Sequence, residues 1–83
     1  MKKEDLKAAG RELAMNVPHI TVTGHREIYI ENHKGIELYT RELIRISTTE
    51  GSISIEGRDM NIDSVRVSDI FISGLIKKIE FEY

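Results

Sequence analysis

The sequence predicts an all-β domain, a small antiparallel sandwich or meander behind a short N-terminal arm, and three observations carry that prediction. From His19 to the C-terminus, branched aliphatic residues alternate with polar ones, the period of a strand with one buried face. Loops containing Gly or Asn interrupt the alternation, as tight turns between strands do. The apolar pairs Ile20/Val22, Ile36/Leu38, Ile53/Ile55 and Ile70/Ile72 recur at separations of 16, 17 and 17 residues, and Gly24, Gly57 and Gly74 follow three of them. A near-repeat of this length also fits a short β-solenoid of four units of about 17 residues. Tight hairpin turns favour antiparallel neighbours and hence the sandwich.

Residues 1–17 form the arm. Only Leu6, Ala9 and Leu13 fall at helical spacing there, with Gly10 inside, so the segment is expected to be flexible or weakly helical. Pro18 biases Val17 toward extended geometry and opens the β domain, residues 18–83. Ile20 and Val22 then alternate with Thr21 and Thr23. Residues 28–40 read as a hairpin closed by Asn32-His33-Lys34-Gly35. With Ile30 opposite Ile36, that hairpin buries Ile28, Ile30, Ile36 and Leu38 on one face and directs Tyr29, Glu37 and Tyr39 away. A second hairpin around residues 48–51 lets Ile44 and Ile46 share a face with Ile53 and Ile55. Gly57-Arg58 has the form of a two-residue turn, Gly first. Val65 and Val67 make a weaker strand, and Ile70, Ile72, Ile76, Ile79 and Phe81 complete the pattern, with Gly57 and Gly74 placed at turns or bulges.

At 83 residues there is room for one domain with a small core, and a chain of that size gains from self-association. No Cys is present, which removes disulfides and thiolate zinc sites as sources of stability. No apolar run approaches the roughly 20 residues of a spanning helix, so a soluble protein is expected. A net charge of −2, from 12 basic and 14 acidic residues, gives no general attraction to nucleic acid or anionic lipid. Lys2-Lys3 and Lys77-Lys78 are too short to make a basic patch.

The chemistry-bearing residues are sparse. His19, His25 and His33 lie at a strand start and in turns, without the fixed spacing of a metal site, and they read as ordinary solvated or turn histidines. Glu31 and His33 have no nucleophile placed beside them. No catalytic residue, cofactor motif or metal set follows from the pattern. Tyr29 and Tyr39, diagonal neighbours in the hairpin register above, form a candidate contact patch, since Tyr is enriched at interfaces.

The runs Met15-Asn16-Val17-Pro18-His19-Ile20-Thr21-Val22-Thr23-Gly24 and Ile28-Tyr29-Ile30-Glu31-Asn32-His33-Lys34-Gly35-Ile36 resemble the signature of the YabP/YqfC sporulation proteins, closest to the YqfC branch. Residues 53–62 and 72–81 agree with it. The resemblance marks Asn32, His33 and Gly35 without assigning them a role. It implies a non-enzymatic, β-rich protein of endospore-forming bacteria, acting on the mother-cell side and at the forespore surface in assembly of the spore's outer layers. The expected partners are other sporulation proteins, a membrane protein of the same process among them, and a second copy in a homodimer joined through sheet edges. The competing expectation is a ligand- or metal-binding regulatory module using His25, His33 and nearby carboxylates.

Overall fold

The computed structural model describes residues 16–83, so the expectations for most of the arm lie outside the described residues. Six strands follow in order: β1 (His19–Thr23), β2 (Glu27–Glu31), β3 (His33–Tyr39), β4 (Leu43–Thr48), β5 (Gly51–Val65) and β6 (Asp69–Glu82). They form one sheet with the spatial order β1-β2-β6-β5-β4-β3. Every pairing is antiparallel, which settles the architecture against stacked parallel coils.

The long strands β5 and β6 build two layers from this single sheet. Their distal portions, residues 61–65 and 69–73, extend a layer begun by β1 and β2. Their other portions, residues 51–57 and 76–82, extend a layer completed by β4 and β3. The first layer contributes Ile28, Ile30, Ile70 and Ile72 to the core, the second Ile44, Ile46, Ile53 and Ile55. Met60 joins the same buried cluster between them. Strands β2, β4, β5 and β6 thus place alternate residues inward, and full burial of such a side chain is worth about 1.5–3 kcal/mol.

At the bend, register shifts fall between Glu56 and Gly57 and between Arg58 and Asn61, and Asp59 has φ 53°. The backbone N–H groups of β5 on the side away from β6 find acceptors there. Gly57 N donates to Glu42 O at 3.1 Å and Met60 N to Arg41 O at 3.0 Å, both in the β3–β4 turn. Gly74, with φ 144°, lies so close to β5 that a Cβ would stand 2.7 Å from Met60 Cα. No side chain fits at that crossing.

Several sequence expectations change. Residues 28–40 are not a hairpin: β2 pairs with β1 and β6, β3 pairs with β4, and Ile30 lies opposite Ile20 and Ile70. Asn32 alone separates the two strands, with φ 66°, and sends the chain from one layer to the other. Ile36 and Leu38 consequently sit on an edge strand, 40% and 37% exposed. Gly57-Arg58 is a bulged bend inside β5, not a turn: the strand runs on to Val65, and the neighbouring 41–42 backbone accepts the Gly57 and Met60 N–H groups. Val65 ends β5 and Val67 is fully exposed in the next turn. Ile44 and Ile46 share a face with Ile53 and Ile55 as expected, with Ile44 opposite Ile55 and Ile46 opposite Ile53.

Candidate functional site

The family-like residues of β2 and β3 meet the β5–β6 turn in one polar cluster. Arg66 N donates to Asp69 O at 2.7 Å and closes that turn. Across it, the Arg66 guanidinium grips the Asp69 carboxylate with two bonds of 2.8 Å, a fork-to-fork geometry. The Tyr29 hydroxyl, on the neighbouring strand, donates to the same carboxylate at 3.0 Å. The Tyr29 ring also packs against Phe71, with centroids 6.2 Å apart.

The strand crossing is tied to the same turn. Asn32 N and His33 N both donate to Ser68 O, at 2.6 and 3.3 Å. Asn32 Nδ2 reaches Val17 O at 2.9 Å and anchors the segment leading into β1. His33 is 7% exposed. Gly35 N donates to its Nδ1 at 2.9 Å, so Nδ1 carries no proton, and Nε2–H donates to Arg66 O at 2.9 Å. Gly35, at φ 130°, turns its N–H onto the imidazole in a backbone conformation that L side chains rarely adopt.

The charges follow this geometry. Hydrogen bonding from Arg66 holds the Asp69 carboxyl below the usual carboxylate range, aided by the Tyr29 hydroxyl and opposed by desolvation. The same carboxylate, accepting from Tyr29, pushes the phenol above its ordinary value. Among the described residues no buried side-chain nitrogen or oxygen lacks a partner. The cluster directs its donors and acceptors at its own side chains and backbone and acts as a clasp between layers.

The structure therefore gathers Tyr29, Asn32, His33 and Gly35, and separates Tyr39 from them. The Tyr39 hydroxyl accepts from Ile62 N at 3.0 Å, covering an otherwise open N–H of β5 beyond the bend. Tyr29 and Tyr39 are not cross-strand neighbours, because β2 and β3 do not pair, and the patch expected from them is absent. His33 is buried and doubly bonded, not solvated, while His25 lies exposed in the β1–β2 turn and its carbonyl accepts from Ile76 N at 2.8 Å. Among the described residues no three His, Cys, Asp or Glu side chains converge as metal ligands. Sequence reasoning passed over Arg66, Ser68 and Asp69; opposite charges three residues apart across a short turn were the available signal.

Outside the clasp, two surfaces stand out. β3 is an outer strand of the sheet and carries exposed Ile36, Leu38 and Tyr39. A cleft of about 460 Å³ lies at the bend, lined by Glu42, Glu56, Arg58 and Lys77 with Gly57, Leu75 and Ile76. Its balanced charges favour neither an anion nor a cation. No helix among the described residues is long and apolar enough to cross a membrane.

The residues of the clasp fall within a match to the YabP family that spans residues 9–83. The chain belongs to the YabP family. Among its relatives is YqfC of Bacillus subtilis (strain 168), itself an uncharacterized protein, 30% identical over 70 residues that cover 84% of this chain and 75% of the relative. No solved structure matches the chain. For a YabP-family chain, the clasp supplies a physical reason for the Asn-His-x-Gly string: these residues carry the polypeptide between layers.

Proposed function

We propose that this YabP-family protein is a non-enzymatic component of spore development, acting by binding other proteins on the mother-cell side during assembly of the outer spore layers. Family membership supports the sporulation context. One observation supports the mode of action: β3 presents its outer edge with exposed Ile36 and Leu38, while the clasp engages its polar groups internally. An open strand edge offers a row of N–H and C=O groups to a partner strand, and apolar side chains beside it add affinity. Lys34, Glu37 and the register shifts at His33/Gly35 and Ile36/Leu38 restrict such pairing to a short stretch around Ile36 and Leu38.

The test is complementation in a sporulating host whose own copy is deleted. Wild type should restore heat-resistant spores. The variant carrying Ile36→Lys and Leu38→Lys should accumulate to the same level yet fail to restore them. Full restoration by that variant would remove β3 from the function, and a deletion without any sporulation defect would remove the proposed context.

A further inference from the structure

The second open edge lies on β6. β2 covers only residues 69–73 of that strand, and the β1–β2 turn covers the next two donors, with Gly74 N bonded to Arg26 O and Ile76 N to His25 O. Beyond Ile76, no strand among the described residues pairs with the outer side of β6. The ladder on its inner side fixes which groups point out. Gly57 N donates to Glu42 O, in register with the pairing of Leu43 and Glu56, so the odd-numbered residues of this part of β5 bond to β4 and the even-numbered ones to β6. Through the pairs Glu56–Lys78, Ser54–Glu80 and Ser52–Glu82, the backbone groups of Lys78, Glu80 and Glu82 are engaged, and those of Ile79 and Phe81 face the open side.

We infer that this edge is a homodimer seam, in which residues 77–81 of two copies pair antiparallel about a two-fold axis at Ile79. Charge selects the occupant, and the outward backbone groups of Ile79 and Phe81 select the register. With Ile79 opposite Ile79, Lys78 of each copy faces Glu80 of the other, giving two opposite-charge pairs on the outer face. An axis at Glu80 or at Lys78 would set like charges against each other at its centre, and would also need outward backbone groups at residues whose N–H and C=O are already engaged by β5. The register at Ile79 also brings Phe81, 58% exposed, beside Lys77 of the second copy, whose alkyl stem and ammonium suit an aromatic ring. This seam is separate from β3, which stays open in the dimer.

Sedimentation equilibrium of the full chain, from 1 to several hundred micromolar at low salt, tests the inference. Wild type should be a reversible dimer. Lys78→Glu and Glu80→Lys should each weaken association by about ten-fold or more, since each replaces two attractive pairs by two repulsive ones. Mixing the two variants should restore association, because every facing pair is then opposite in charge. Lys78 also lies 3.8 Å from its own Glu56 and 3.7 Å from its own Glu80, so circular dichroism and thermal midpoints establish that each variant is folded. A monomeric wild type overturns the inference, as do variants that dimerise normally or a mixture that fails to associate. None of these outcomes bears on β3, whose variant should dimerise like wild type.

Discussion

His33 shows how a residue type that suggests chemistry can serve the fold. Both ring nitrogens are bonded to backbone, one to Gly35 and one to Arg66, so His33→Ala leaves a donor and an acceptor without partners. That change should cost about 1–3 kcal/mol in denaturant unfolding. Asp69 sets an acid limb. Its carboxyl is held below the usual range in the folded chain, so its stabilising contribution is complete above the ordinary carboxylate value and disappears as pH falls through the depressed one. The stability gap between wild type and Asp69→Asn should therefore be widest near neutrality and narrow below about pH 4, read from unfolding midpoints across pH. Tyr29 works in the opposite sense: its raised value makes the contribution complete below the ordinary phenol value and lost in strong alkali.

Among the elements, β5 and β6 decide the architecture, since their bends turn one sheet into two layers. Gly74 stands where β6 passes β5, and Gly74→Val should unfold the chain or cost more than about 3 kcal/mol in thermal or denaturant melts, through backbone strain and collision with Met60. The inward isoleucines were legible in the sequence because alternation reports burial directly; Ile28, Ile30, Ile44, Ile46, Ile53, Ile55, Ile70 and Ile72 all lie in the core. The partners of β2 and β3 were not legible. Asn32-His33-Lys34-Gly35 carries the same residue types whether it closes a hairpin or turns a corner, and the deciding contacts come from Ser68 and Arg66, more than 30 residues away. Gly57-Arg58 misled for a related reason, since the acceptors that stabilise the bend belong to the distant Arg41 and Glu42.

For the whole molecule, the crossing at Asn32 is what leaves β3 with one open side. Had residues 28–40 folded back on themselves, β3 would be covered by β2 and Ile36 and Leu38 would be buried. Because they are only partly covered instead, Ile36→Lys with Leu38→Lys should cost about 1–3 kcal/mol of unfolding free energy in total, the lysine stems keeping some of the contact, while removing the proposed docking of a partner strand. The candidate site was legible only in part: the Asn32-His33-Lys34-Gly35 string is visible in sequence, but its role as a clasp depends on a turn that contributes Arg66, Ser68 and Asp69. Cross-strand nuclear Overhauser effects in the isolated protein test this most directly. Contacts of Ile28 with Ile72, Tyr29 with Phe71 and Ile36 with Ile46, with none between Ile30 and Ile36, are the predicted pattern; a continuous ladder joining Ile30 to Ile36 would contradict it.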